Sequence, residues 1–384
     1  MINTRTVFPV FFCVLLLLVA QSCEREKDVL THAARPDLPQ EPFPYLSPDF
    51  GNVTEFNHQA TLGRVLFYER QLSANNSISC GSCHKQAFSF ADNVAFSRGL
   101  NNQLTHRNSM PVLNLAGSFP GNTFLGGQEI EDGLIQPGFI LGGGFFWDGR
   151  ENSLERLAML PVRNHIEMGM SNPEQLESKL SHLDYYPELF NKAFGSAEIT
   201  IERIAKALTA FMSSIQANNS RSDQYLFTNN ATLFTATEKR GFDLFFSTYN
   251  CAGCHNVFPG TYHSPGFFNI GLDLQVSDLG VGAFFDDPNL QGVFRTPNLK
   301  NIELTAPYMH DGRFNTLEEV LDHYSGGIQN APSLSSLLKD TAGNPIKMQI
   351  PESDKIALIA YLRTLTDYSI VADPKFSDPF TIQE

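Results

Sequence analysis

The feature that most constrains this chain is a five-residue motif, Cys-x-x-Cys-His, that occurs twice. Its members are Cys80, Cys83 and His84 in the first copy and Cys251, Cys254 and His255 in the second. The other two cysteines, Cys13 and Cys23, lie near the N-terminus. A disulfide framework is therefore excluded, because every cysteine of the folded part belongs to a local pair. The length of 384 residues allows two or three domains.

The spacing of each motif is typical of covalent haem attachment. Two thiols three residues apart can each add to one vinyl group of a haem, and the histidine that follows then lies under the iron as its axial ligand. A four-cysteine zinc site is an alternative, although zinc does not require a histidine after each pair. A thioredoxin-like redox pair is a second alternative, which would need a βαβ context. The motifs favour two covalently bound c-type haems, one in each half of the chain.

Helical patterns precede and follow both motifs, whereas alternating strand patterns are scarce. They are carried by Leu62, Val65 and Leu66; by Ile201, Ile204, Ala205 and Leu208 after a Thr200 N-cap; by Phe242, Phe245 and Phe246 after a capping box of Thr235 and Glu238; and by Leu358, Tyr361, Leu362 and Leu365 after Pro351. The sequence therefore predicts a mainly α-helical body with long irregular loops. The polar stretch 216–230 divides it into two similar units, 51–217 and 231–370.

The N-terminal region predicts export from the cytoplasm. Residues 1–22 contain an apolar run that is too short to span a bilayer and is typical of a signal peptide. Ser22 and Cys23 resemble a lipoprotein processing site, so we expect acylation of Cys23 and a Pro-rich tether over 23–50; cleavage without lipid is the alternative. These features predict a protein of the periplasm or cell envelope. The net charge of −14 argues against nucleic-acid binding.

Five further segments give the chain a resemblance to the bacterial di-haem cytochrome c peroxidase and MauG family. They are Arg-Asn at 107–108, Phe-Trp-Asp-Gly-Arg at 146–150, Ile-Glu-Met-Gly at 166–169, Val-Phe-Arg-Thr-Pro at 293–297 and Leu-Thr-Ala-Pro-Tyr-Met-His-Asp-Gly at 304–312. The resemblance implies two cytochrome c-like domains. The N-terminal haem would be the hydrogen peroxide site. The C-terminal haem would relay electrons from an external donor, such as a small cytochrome c or a cupredoxin, and a homodimer is a further expectation.

The resemblance also implies roles for individual residues. Glu167 falls on the position of a distal acid/base that moves a proton between the peroxide oxygens. Trp147, the only tryptophan, falls between the two haems, where an indole can relay electrons; a packed core aromatic is the alternative. Asn108, Thr305 and Pro307 match the positions that hold a calcium ion between the domains.

The chain departs from the peroxidases near the first haem. Leu100 stands where many of them have a distal histidine that must leave the iron, and Leu157 stands where they tend to have glutamine. His106 and His165 are nearby alternatives as iron ligands. We expect a first haem that is open to peroxide without reductive activation. The Gly-rich segment 117–144 is expected to form an added loop that gates access, docks a partner or is an idle insertion.

A second departure concerns the distal ligand of the second haem. Tyr324 occupies the position where the peroxidases use methionine, which is the MauG-like arrangement, with Met309 or Met348 as alternatives. A phenolate favours oxidised iron, whereas a thioether favours ferrous iron. The sequence thus predicts a di-haem cytochrome c peroxidase. The alternatives are a MauG-like oxidase that uses peroxide to modify a large substrate and a non-catalytic electron-transfer cytochrome.

Overall fold

The computed structural model describes residues 36–38, 43, 52–115, 144–255 and 266–380. The signal peptide, Cys23, most of the tether and nearly all of the 117–144 segment lie outside the described residues. Residues 36–38 and 379–380 belong to a small separate unit, in which the Asp37 N–H donates to the Pro379 carbonyl (2.8 Å). Residues 39–378 form the body. Within the described ranges, no helix has the length and apolar character to cross a bilayer.

The body is mainly helical, as predicted. Its α-helices are α1 (Val53–Tyr68), α2 (Cys80–Cys83), α3 (Leu154–Arg163), α4 (Pro173–Ser181), α5 (Tyr186–Phe194), α6 (Ile201–Ser214), α7 (Arg221–Thr228), α8 (Ala236–Asp243), α9 (Leu317–Asp322), α10 (Glu352–Arg363) and α11 (Ser369–Ala372). One-turn π-helices over Leu244–Thr248 and His323–Gly327 extend α8 and α9. The loops carry 3₁₀ turns over Arg70–Leu72, Gln86–Phe88, Leu100–Asn102, Ala231–Leu233, Cys251–Gly253, Val281–Phe284, Pro288–Leu290, Ile302–Leu304, Ser336–Leu338 and Pro374–Phe376.

Regular strand structure is confined, among the described residues, to one two-stranded sheet. Strands β1 (Phe267–Phe268) and β2 (Phe294–Arg295) pair antiparallel, with Phe267 opposite Arg295. This small sheet follows the second motif in the chain. The prediction of few strands, made from the scarcity of alternating patterns in the sequence, is thereby confirmed.

Helix starts follow the capping signals in the sequence. The Thr200 hydroxyl accepts a hydrogen bond from the Arg203 N–H (3.3 Å) and opens α6. Thr235 and Glu238 form the predicted reciprocal capping box of α8. The polar stretch 216–230, by contrast, contains α7, whose own cap residue Ser220 is buried. Composition alone did not indicate that helix.

The two halves share one helix-packing device that the sequence did not reveal. In the first half, a Cβ added to Gly63 of α1 would lie 1.9 Å from the Ala207 carbonyl oxygen of α6. In the second half, a Cβ on Gly241 of α8 would lie 1.9 Å from the Ala357 carbonyl oxygen of α10. Glycine is required because the helix backbones touch there. The repeat supports two similar units, and their assignment as cytochrome c-like domains over 51–217 and 231–370 stays a prediction.

Aromatic clusters fill the space beside each helix pair. Edge-to-face contacts at centroid distances of 5.2–6.5 Å connect Phe43, Phe67, Phe90, Phe211 and Phe376 in the first half. The second half contains Tyr225, Phe234, Phe242, Phe245, Phe246 and Tyr361. These clusters give each motif an apolar neighbourhood.

Candidate haem sites and the path between them

The first motif lies on a single helical turn that packs directly on α1. Cys80 and Cys83 begin and end α2, and a Cβ on Gly81 would lie 2.4 Å from the Tyr68 ring. His84 follows at once, with its ring nitrogen Nδ1 2.9 Å from the Phe90 carbonyl oxygen. A carbonyl can only accept, so this contact requires a proton on Nδ1 and leaves the lone pair on Nε2. That tautomer is the one in which a histidine binds iron through Nε2.

The second motif repeats this arrangement. Cys251 begins a 3₁₀ turn, and the His255 N–H donates to the Cys251 carbonyl (2.9 Å). Nδ1 of His255 lies 3.2 Å from the Pro297 carbonyl oxygen. Burial lowers the pKa of His255 to about 4, and burial likewise lowers the pKa of His84. Both rings are therefore neutral at neutral pH, which is the form that binds a metal.

The residues of both sites fit covalently attached haem. All four cysteines are free thiols. Each pair is followed by a neutral imidazole that is already oriented by a backbone carbonyl. Within the described ranges, no group of three or more His, Cys, Asp or Glu side chains is arranged to hold a metal ion.

Glu167 lies within electrostatic reach of the first motif. Its segment is held by the Leu100 N–H, which donates to the carbonyl oxygens of Ile166 (2.7 Å) and Glu167 (2.9 Å). Burial raises the pKa of Glu167, and the charge of Arg150 opposes this only in part. The Glu167 carboxyl in turn adds to the raised pKa of both thiols of the first motif, after the larger effect of burial. A half-buried carboxyl group thus lies within electrostatic reach of the motif predicted to bind the first haem.

Leu100 lies against the same segment. A Cβ on Gly169 would lie 2.5 Å from the Leu100 Cδ2 atom. His106 and His165, the alternative distal ligands, are both exposed to solvent. Leu157, where the peroxidases tend to have glutamine, is half-buried on α3. The Leu100 side chain therefore lies against Gly169 in the segment that carries Glu167, and the two histidines are exposed to water.

Trp147 is hydrogen-bonded to both halves of the chain, once through its side chain and once through its backbone. Its indole Nε1–H donates to the Asn108 carbonyl oxygen (2.9 Å). Its own carbonyl accepts from the Arg295 N–H on β2 (2.7 Å). Pro297, which orients His255, lies two residues after Arg295. The Trp147 side chain is thus held by the 107–108 segment, and its backbone by the strand that leads to the second site.

Ion pairs lie beside the hydrogen bonds that Trp147 makes with the two halves of the chain. Asp148, next to Trp147 and buried, pairs with Arg150 (2.7 Å) and with Arg107. Arg107 also binds both carboxylate oxygens of Asp278 (2.7 Å each). Loops from both halves are thus joined by a charge network beside the tryptophan.

Tyr324 lies within electrostatic reach of the second motif. It belongs to the π-helical turn after α9, where burial raises its pKa and the thiols of Cys251 and Cys254 raise it further. The Met348 N–H donates to the Tyr324 carbonyl (3.4 Å), and both side chains pack against the same apolar cluster. Met309 is half-buried in the 304–312 segment. Tyr324 as an iron ligand stays a prediction, with the two methionines as its alternatives.

The residues expected to hold calcium are partly brought together. The Asn108 N–H donates to the His310 carbonyl (2.7 Å), so Asn108 lies against the segment that carries Thr305 and Pro307. Its Nδ2 atom donates to the Val94 carbonyl (3.1 Å), which leaves Oδ1 able to act as a ligand. Calcium binding there stays a prediction.

Three contributions were not predicted. The carbonyls of Phe90 and Pro297 orient the two histidines, and Arg295 donates its backbone N–H to Trp147. Backbone carbonyls carry no residue-type signal, so no sequence pattern identifies them. Arg295 lies in the 293–297 segment, whose match to the family gave it no role.

Comparisons with known proteins agree with this geometry. A family model described as di-haem cytochrome c peroxidase matches residues 57–231. The methylamine utilization protein MauG of Methylorubrum extorquens is 33% identical over 311 residues, which cover 80% of this chain and 78% of that protein. The cytochrome c551 peroxidase of Nitrosomonas europaea is 29% identical over 333 residues, covering 85% of this chain and 84% of that protein.

A solved structure shows the same fold. The crystal structure of a MauG-like protein associated with microbial copper homeostasis matches with a TM-score of 0.72 at 30% identity and covers 90% of this chain and 99% of that one. The resemblance carried by the sequence segments is thereby confirmed, and the chain belongs to the di-haem cytochrome c peroxidase and MauG family.

Proposed function

We propose that this protein is a di-haem oxidoreductase that reduces hydrogen peroxide to water with two electrons from an external donor and two protons. The observation that carries the proposal is Glu167. It is a half-buried carboxyl group with a raised pKa, within electrostatic reach of the first Cys-x-x-Cys-His motif. A plain electron carrier has no use for such a group near its iron.

Glu167 would move the proton. When bound at His84, the haem supplies the redox-active iron at which the peroxide O–O bond is cleaved. The carboxylate accepts a proton from one peroxide oxygen and returns it to the oxygen that leaves as water. Leu100 offers no donor atom to compete with peroxide, so the first site would be open to it.

Trp147 would carry electrons between the two sites. Its indole is fixed by a hydrogen bond to the Asn108 carbonyl, and its backbone is bonded to Arg295. Electrons from a small cytochrome c or a cupredoxin would enter at the His255 site and reach the first site through the indole. Rigid hydrogen bonding limits the rearrangement that accompanies each transfer.

A MauG-like oxidase is the second candidate, favoured by one specific observation. Tyr324 lies within electrostatic reach of the second pair of thiols. A phenolate ligand there would favour oxidised iron and a protein that removes electrons from a large substrate. The 33% identity to a MauG protein supports the same alternative.

Further elements of the proposal concern the setting of the enzyme. We propose export to the periplasm or cell envelope, because covalent haem attachment and the apolar N-terminal segment both point there. We also propose that an acylated Cys23 anchors the protein to a membrane. Asn108, Thr305 and Pro307 would bind a calcium ion, and the protein would form a homodimer. Electrospray mass measurement of the purified protein would detect the lipid and two covalent haems.

Steady-state peroxide turnover on the haem-loaded protein tests the function. A reduced small cytochrome c should be oxidised continuously, with two donor equivalents consumed for each peroxide. If peroxide oxidises the bound haems but no donor sustains turnover, the MauG-like alternative replaces the proposal. If both haems are low-spin and do not react with peroxide, the protein is an electron-transfer cytochrome.

A further inference from the structure

Arg295 is a half-buried cation that has no carboxylate partner among the residues described. Its Nη2 atom lies 3.5 Å from the Met110 sulfur, which is a weak acceptor. Its Nε atom is buried and makes no hydrogen bond within the described ranges. A guanidinium has five N–H donors, so most of its hydrogen-bonding capacity is unused.

Other arginines near the contact between the two halves of the chain have carboxylate partners, unlike Arg295. Arg107 pairs with Asp148 and Asp278, Arg150 pairs with Asp148, and Arg313 pairs with Asp273 and Asp311. Burial lowers the pKa of Arg295 to about 10, and no neighbouring carboxylate opposes that effect. The Nε–H is cut off from water and has no acceptor within the described ranges, which is unfavourable for a charged group. We therefore expect an anion to bind beside the Arg295 guanidinium.

The place of Arg295 in the fold indicates which anion that is. Its backbone N–H holds Trp147, and its strand leads to Pro297, whose carbonyl orients His255. Its guanidinium reaches Met110, whose backbone is near enough to His84 to influence the pKa of that ring. Arg295 thus lies between residues that contact His84 and residues that contact His255. The carboxylates that a covalent haem brings into such a place are its propionates.

We propose that the Arg295 guanidinium pairs with a haem propionate at the junction of the two sites and thereby positions that haem. A planar guanidinium matches a carboxylate with two parallel hydrogen bonds, which fixes orientation as well as charge. The proposal rests on the haem content of the proposed function, but not on peroxide chemistry.

The pairing has a consequence for electron transfer. The positive charge offsets the negative propionate, which favours the reduced state of the nearby iron. Without Arg295, the unpaired propionate would favour the oxidised state, because it stabilises the extra positive charge of ferric iron. Arg295 would therefore act as a positioning residue that sets a reduction potential.

A redox titration of the haem-loaded protein tests this proposal. In Arg295→Gln, the reduction equilibrium of one haem should shift at least tenfold toward the oxidised form, which is 59 mV for one electron. The haem that shifts identifies whose propionate is paired. Arg203→Gln serves as the matched control, because it removes one positive charge that pairs with Glu198 at the surface. Its two potentials should equal those of the wild type.

The lysine variant covers the case in which Arg295→Gln does not fold or load haem. Arg295→Lys keeps the charge but loses the planar two-pronged geometry, so the reduction equilibrium of the same haem should shift measurably toward the oxidised form, by less than tenfold. Wild-type potentials in the glutamine variant, or in the lysine variant where that one is used, would overturn the proposal. Because turnover is not the readout, a shifted potential in a protein without peroxidase activity would reject the proposed function alone.

Discussion

Replacement of Glu167 by glutamine is the most direct perturbation of the proposed chemistry. The amide keeps the shape of the side chain but cannot accept the peroxide proton at neutral pH. The hydrogen bonds from the Leu100 N–H end on backbone carbonyls, so the substitution leaves the segment in place. Loss of a positioned acid/base group slows its step by about 10²–10⁴-fold, which is about 2.7–5.4 kcal/mol of barrier.

The raised pKa of Glu167 has opposite consequences for rate and for stability. The peroxide step needs the carboxylate, so its rate should fall as the pH drops through the raised pKa. The folded state, however, binds the proton more tightly than the unfolded state. Stability therefore falls as the pH rises from the ordinary glutamate pKa through the raised one. Glu167→Gln removes that cost and should unfold at a higher temperature than the wild type at pH 7.

Stopped-flow mixing with peroxide, followed by Soret absorbance, measures the rate, and thermal unfolding measures the stability. Glu155→Gln is the matched control, because that side chain is exposed on α3. It should leave both quantities unchanged. A Glu167→Gln protein that reacts with peroxide at the wild-type rate would refute the proton-transfer role. A wild-type rate that does not change between pH 4.5 and 7 would refute it independently.

Three further predictions follow from the second half and the junction. Tyr324→Met should shift the reduction equilibrium of one haem more than tenfold toward the ferrous form, measured by redox titration; an unchanged potential would remove Tyr324 as a ligand. Trp147→Phe keeps an aromatic ring but loses the indole N–H, so electron transfer between the haems should slow at least tenfold in rapid mixing, and equal rates would contradict the relay. Gly241→Ala places a methyl group 1.9 Å from the Ala357 carbonyl oxygen and should destabilise the protein by about 1–3 kcal/mol in chemical denaturation, whereas Gly326→Ala, which meets no atom within 4 Å, should leave stability nearly unchanged.

The local features of the fold could be read from the sequence because short-range chemistry determines them. The Thr200 cap and the Thr235 capping box were predicted and confirmed, since each needs only residues within one helical turn. The helix inside 216–230 was not predicted. Its polar residues resemble a linker, and the buried ion pair of Asp223 with Lys300, which accompanies it, joins residues far apart in the chain.

The features of the candidate site likewise separate into those that local sequence predicts and those that it does not. The haem motifs are local and were predicted from spacing, whereas the roles expected of Glu167 and Trp147 came from the family resemblance. The glycine contacts of Gly63 and Gly241 were missed because a glycine inside a helix ordinarily signals weak helix formation. Only the crossing of two helices distant in sequence shows why it is needed.

The histidine–carbonyl bonds have a consequence for how this protein family can vary. Phe90 and Pro297 are chemically unlike, yet their main chains perform the same task for His84 and His255. A carbonyl group is supplied by every amino acid, so the hydrogen bond that fixes the imidazole tautomer makes no demand on the side chain at either position. The orientation of the ring on which each iron site depends is therefore set by the course of the main chain at these two positions and not by the chemistry of their side chains.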